Sequence, residues 1–121
     1  MNQSIHSPNP SDELPTEENC HILEVWNNNS DNAVSIARAR LESGMTTKLH
    51  RLKGVDERYL IVTGTGITQV GDSAPVEVRP GDVVIIPSGI PQRISNSGKD
   101  DLVFLCICTP RFAEECYEAL E

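Results

Sequence analysis

An all-β domain is the fold class this sequence predicts, on three observations. Short apolar runs alternate with turn residues at close intervals, the pattern of a sandwich or barrel and not of strands alternating with helices. Aromatic residues make up only 4% of the chain, so the core must come from Val, Ile, Leu and Ala, the β-branched part of which suits half-buried strands. A length of 121 residues fits one domain, which buries roughly two-thirds of its unfolded surface.

Taken in order, residues 1–19 hold Pro8, Pro10 and Pro15 with Asp12, Glu13, Glu17 and Glu18, and almost nothing apolar. Such a stretch cannot offset its own ordering entropy, so it is expected as a flexible or loosely draped acidic arm ahead of a folded domain over 20–121. A strand at 22–26 opens the domain, and the polar turn 27–32 leads to a second at 33–41, closed by Glu42, Ser43 and Gly44. Further strands are expected at 46–52, 57–63, 67–70, 76–79, 83–86, 92–95 and 102–108, separated by Gly, Pro, Asn and Asp clusters, which makes about nine. Pro110 ends the last of them. Phe112, Cys116, Ala119 and Leu120 then recur at helical spacing, so a short C-terminal helix is expected over 111–120, lying on the barrel or on a second subunit.

Composition removes several function classes. A formal charge of -8 speaks against nucleic acid, because phosphate binding needs clustered Lys and Arg that release counterions. No run of eighteen apolar residues is present and the N-terminus lacks a basic region followed by an apolar stretch, so no membrane partner is expected and the location is expected to be cytoplasmic. Cys20, Cys106, Cys108 and Cys116 form no C-x-x-C pair or spaced zinc set and read as reduced thiols. Cys106 and Cys108 share one face of the last strand, either as small core residues or as thiols that reach a pocket.

Two spaced motifs carry the chemistry. The first places Gly44, His50, Leu52, Glu57 and Gly64 in register, and the second Gly81, Pro87, Ser88, Gly89, Gln92 and Asn96. Within the second, a tight turn feeds the buried run 83–86, and Pro87 with Gly89 bends the chain so that residue 92 re-enters the domain. Together the motifs resemble the two halves of the cupin signature over roughly residues 33–110. That resemblance implies a double-stranded β-helix, the cupin jelly-roll barrel, over 20–121.

In cupins the motifs place several nitrogen and oxygen ligands on inward strand faces to hold iron, manganese, nickel, zinc or copper. Carried over residue by residue, the resemblance makes His50 and Glu57 candidate ligands and Gln92 a substitute, while Leu52 stands where another histidine is expected and cannot ligate. A neutral amide oxygen is a weaker donor than imidazole, so any divalent metal (Fe, Mn, Ni or Zn) would be held weakly. The alternatives left open are a satisfied hydrogen-bond network of His50, Glu57 and Gln92, or a metal-free catalytic pair in which His50 and Glu57 act as base and acid.

Strand parity makes Lys48 either an inward cation for an anionic ligand or, as lysines more often are, a residue of the barrel mouth with its ammonium in water, and it adds Tyr59 with Ile61 as cavity-lining residues beside Glu57. The same parity turns Arg51, Arg58 and Arg93 outward, with Arg38 and Arg40 on another outer face, where they can meet acids of a second subunit. The resemblance also suggests a homodimer, which would cover sheet edges. The expected function is binding of a small polar or anionic molecule in the barrel, with dioxygenase, isomerase or decarboxylase chemistry open, or else a non-catalytic metabolite sensor.

Overall fold

The computed structural model describes residues 3–121 and consists almost wholly of antiparallel strands. In chain order these are β1 (Leu14–Pro15), β2 (His21–Trp26), β3 (Ser35–Leu41), β4 (His50–Leu52), β5 (Asp56–Thr63), β6 (Gly66–Val70), β7 (Val76–Val78), β8 (Val83–Ile86), β9 (Gln92–Asn96), β10 (Leu102–Thr109) and β11 (Tyr117–Ala119). They form a six-stranded sheet in the order β1-β2-β3-β10-β5-β8 facing a five-stranded sheet in the order β11-β4-β9-β6-β7. Several neighbours, among them β3 and β10, β10 and β5, and β11 and β4, are far apart in sequence, which is the jelly-roll arrangement of a double-stranded β-helix. Among the described residues, no helix is long and apolar enough to cross a membrane.

Period-two burial sets which side chains face the interior. In β10 the inward residues Leu102, Phe104 and Cys108 are buried, and in β5 so are Glu57, Tyr59 and Ile61, while Arg58 and Leu60 lie on the other face. Apolar inward positions at one end of the barrel make the larger core, centred on Leu41, Ile61, Ile86, Ile94, Leu102 and Phe104. A smaller cluster of Leu52, Val55, Cys108 and Cys116, flanked by Phe112 and Tyr117, closes the other end.

The motif residues that are not acids or bases hold the turns. Gly64 sits at φ 84°, and a Cβ there would lie 2.7 Å from the Asp101 carbonyl oxygen and 2.9 Å from the Leu102 Cα, so no other residue fits. Asn96 is buried and ties three backbone groups together: its Nδ2 donates to the carbonyls of Leu41 and Asp100, each at 2.8 Å, and its Oδ1 accepts from the Gly98 amide at 2.9 Å.

The C-terminal helix does not form. A single 3-10 turn at Glu114–Cys116 leads into β11, which pairs with β4 through Tyr117↔Leu52, Glu118↔Arg51 and Ala119↔His50. A helix of about ten residues is marginal by itself, whereas a strand here finds ladder partners along the free edge of β4. The helical spacing was misleading because Phe112 and Cys116 both reach the smaller core from either side of the turn.

The N-terminal segment also differs from a free arm. Leu14 and Pro15 pair with Ile22 and His21, forming a short hairpin, and Glu13 receives Arg40 at 2.6 Å and Arg38 at 3.3 Å. These two arginines face outward as expected, but their acid comes from the same chain. The strand expected at 46–52 is ladder-paired only from His50, Thr46 making a lone bridge to Ser95.

Candidate functional site

The inward faces of β2, β3, β4, β5 and β10 enclose a cavity of about 480 Å³ at the smaller-core end of the barrel. Its walls carry His50 and Leu52 from β4, Glu57 and Tyr59 from β5, and Cys106 and Cys108 from β10. β3 contributes only Ser35, Ala37 and Ala39, and these small side chains leave the space in which a ligand can lie.

The resemblance brought His50, Glu57 and Gln92 together, and they are neighbours in space. His50 lies opposite Gln92 in the β4–β9 pairing, and Gln92 Nε2 donates to Glu57 Oε1 at 2.9 Å. On its other side Gln92 Oε1 accepts the Tyr59 hydroxyl. The amide therefore sits in one orientation, its oxygen on a phenol donor and its nitrogen on a carboxylate acceptor. Glu57 Oε2 receives only the Cys108 thiol, at 3.6 Å.

His50 is fixed differently. Its ring stacks on Tyr117 with centroids 5.3 Å apart and an interplanar angle of 24°. Nδ1 lies 2.8 Å from the Lys48 carbonyl oxygen, which can only accept, so Nδ1 carries the proton. In the neutral ring Nε2 is then the basic nitrogen. No described side chain lies within hydrogen-bond distance of it; the Glu18 carboxylate is 4.0 Å away.

Burial governs the ionisation of the site. It raises the Glu57 carboxyl above the usual carboxylate range, against opposing help from the Gln92 hydrogen bond and the nearby His50. It likewise pushes the Tyr59 hydroxyl and the Cys106 and Cys108 thiols up, and Cys20 to about 11. Both strand thiols do reach the cavity, yet they stay protonated, and protonated thiols are poor nucleophiles and ligands.

This donor set does not fit a cupin metal. Gln92 is 1% exposed, lies behind the cavity wall, and has its oxygen committed to Tyr59. Leu52 belongs to the smaller core. What remains is one imidazole nitrogen and one buried carboxyl already engaged by Gln92 and Cys108, and among the described residues no three His, Cys, Asp or Glu side chains gather as ligands. The expected ligation by His50, Glu57 and Gln92 is thus replaced by a hydrogen-bonded chain, Tyr59 to Gln92 to Glu57.

Two other candidates lie outside the cavity, Lys48 taking the solvated alternative and Ile61 joining the core. Lys48 is exposed and outside the cavity, because residues 47–49 precede the ladder and strand parity does not run back from His50; Thr47 faces the cavity instead. Ile61 lies in the larger core. The residues that sequence reasoning missed are Thr16, Glu17 and Glu18, which the β1–β2 hairpin lays across the cavity mouth. The one available signal was Glu13, whose carboxylate matches the outward pair Arg38 and Arg40.

Residues 37–108 match the family described as Cupin domain. The chain is 36% identical over 87 residues to an uncharacterized protein of Methanocaldococcus jannaschii, covering 72% of this chain and 69% of that one. It is 35% identical over 71 residues to a protein of Thermotoga maritima named oxalate-binding protein, covering 59% of this chain and 58% of that one. In structure it resembles a predicted oxalate decarboxylase of Thermotoga maritima, with a TM-score of 0.74, 25% identity, and coverage of 87% of this chain and 99% of the other.

Proposed function

Since the chain belongs to the cupin family, we propose that its barrel binds a small polar molecule without a transition metal, with His50 and Glu57 as the acid–base pair. The observation that carries this reading is the locked amide of Gln92, which turns the residue standing in the ligand position into a support for Glu57. Such a support fixes the carboxyl geometry and leaves Oε2 as the oxygen able to serve a ligand.

The two groups have complementary proton states. His50 presents a basic Nε2 because Lys48 holds the proton on Nδ1. Burial raises the Glu57 carboxyl above the ordinary carboxylate range, which favours the acid form that can give up a proton. A base and an acid placed together can remove a proton from one position of a bound molecule and return one at another, which is the chemistry of an isomerase or a dehydrating lyase. Tyr59 acts through Gln92 as a positioning residue.

Metal content and ligand binding test the reading together. Protein purified without chelator, then exposed singly to iron(II), manganese, nickel and zinc and passed through a desalting column, is expected to retain none stoichiometrically. A panel of small polyols, nucleosides and amino compounds is expected to include members that raise the melting temperature of the wild type and not of His50→Ala. Stoichiometric metal that disappears in His50→Ala would overturn the metal-free reading.

A further inference from the structure

The charged side chains of the cavity wall are all acidic. Glu17, Glu18, Glu24, Glu57 and Glu114 line it, and among the described residues no Lys or Arg does. Lys48, the cation the sequence suggested, is exposed and outside, and Arg38 and Arg40 are held on the outer face by Glu13. A bound anion would meet the half-buried Glu18 carboxylate and the exposed Glu17, Glu24 and Glu114 around it, where like charges repel.

An acidic wall alone names no site, but His50 adds an independent pointer. Its side chain is more than nine-tenths buried, with 4% of the residue exposed. Its Nε2 faces the cavity with no partner within hydrogen-bond distance among the described residues. The ring is held in place while Nε2 stays open to the cavity, so this nitrogen is free to accept from a group that the ligand supplies. Glu18 stands 4.0 Å across from it, too far for a direct bond and at a separation that one hydroxyl or amino group can bridge.

The hairpin that carries Glu18 is built to hold it there. Thr16 closes the turn by donating to the Cys20 carbonyl from both N, at 2.9 Å, and Oγ1, at 2.8 Å. Asn19 adopts a left-handed φ of 70°, uncommon outside glycine, and its Nδ2 donates to the Thr46 carbonyl at 3.1 Å on the opposite rim. Between these anchors lie Glu17 and Glu18, directed to the mouth, while the Glu13 ion pairs fix the approach from outside.

We infer that Glu18 is a ligand-binding residue that works with His50 across the cavity mouth, and that the pair selects an uncharged or cationic hydrogen-bond donor, such as an amine or a polyhydroxy compound, over an anion. This deepens the metal-free reading of the barrel and rests on it. It also separates this chain from its relative named oxalate-binding protein, because oxalate is a dianion and among the described residues no Lys or Arg lines this cavity to neutralise it.

Ethanolammonium and glycolate test the inference, being close in size and opposite in charge. In amide-resolved NMR titrations of the full chain, ethanolammonium is expected to shift cavity residues such as Ala37, Cys106 and Tyr117 at a concentration at least tenfold below that of glycolate. Glu18→Gln should reduce that ratio about tenfold, and Glu17→Gln, one residue away on the same turn, should reduce it far less. An unchanged ratio in Glu18→Gln, with ethanolammonium binding still lost in His50→Ala, would overturn the role of Glu18 and leave the His50 site standing. Preferential glycolate binding, or no cavity shifts with either probe, would overturn the ligand class, and the metal-retention experiment would still judge the metal-free reading separately.

Discussion

Replacing Glu57 by Gln should stabilise the protein at neutral pH and flatten its pH dependence, although it removes the acid of the proposed pair. Glu57 is 7% exposed, and burial raises its carboxyl in the folded state above the unfolded value. The sign follows from proton linkage. Below the unfolded value both states are protonated and the group's stabilising contribution is fully present; as pH rises toward the folded value the unfolded chain releases a proton that the native state keeps, and the contribution is lost. The loss approaches about 1.4 kcal/mol per pH unit inside that window, then levels off once the native carboxyl also ionises. For a domain of this length, that slope corresponds to roughly 5 °C of melting temperature per pH unit. The amide introduced by Glu57→Gln would carry no charge in either state, and its oxygen can still accept from Gln92 Nε2 as the carboxyl of Glu57 does. The measurement is urea unfolding of wild type and Glu57→Gln from about pH 5 to about pH 8, read as the difference between them so that other titrating groups cancel. Because His50 couples to Glu57 and Glu18 lies near both, the comparison is repeated in a His50→Ala background and in a Glu18→Gln background. Parallel pH curves for wild type and variant would refute the claim that Glu57 is held protonated by burial.

Two further predictions concern the support of the site and the outer surface. Gln92→Ala leaves the Tyr59 hydroxyl and Glu57 Oε1 without partners at a position only 1% exposed, and with about 1–3 kcal/mol for each orphaned group it should cost on the order of 3–5 kcal/mol. A thermal midpoint lowered by roughly 10–20 °C is expected, and a loss near zero would mean that the amide chain supports nothing. Arg51→Glu with Arg93→Glu should leave the mass measured by light scattering unchanged, because Arg51 already pairs with Glu118 of its own chain at 2.6 Å and Arg93 donates to Gln69 at 3.0 Å. A drop from dimer to monomer mass would return these arginines to the intersubunit role the sequence suggested.

Much of the fold could be read because its signals are local. Turn glycines such as Gly64, alternating strands such as β5 and β10, and the re-entry after Pro87 each depend on a few adjacent residues. The C-terminal segment was not legible because the choice between a short helix and β11 is decided by the open edge of β4, more than sixty residues earlier. The arm was not legible for the same reason. Leu14 and Pro15 are too few to signal a strand, and what holds them is β2 together with Arg38 and Arg40 on β3.

On the metal-free reading proposed above, each altered motif position serves another partner within the barrel. Leu52 packs with Val55, Cys108 and Cys116 into a core that steadies the floor beneath His50. Gln92 satisfies both Tyr59 and Glu57, two buried groups that a histidine at that position would have to serve with a single free nitrogen after ligation. The ring of His50 gains a stacked partner in Tyr117 from the last strand, and its free nitrogen gains a facing carboxylate from the first hairpin. Both termini therefore close on the same imidazole. A metal ligand needs only its lone pair aimed at the ion, whereas a proton-transfer base needs its tautomer, its ring plane and its ligand-facing partner fixed separately. Here three different segments supply those three constraints: the Lys48 carbonyl sets the tautomer, Tyr117 the plane, and Glu18 the facing acid.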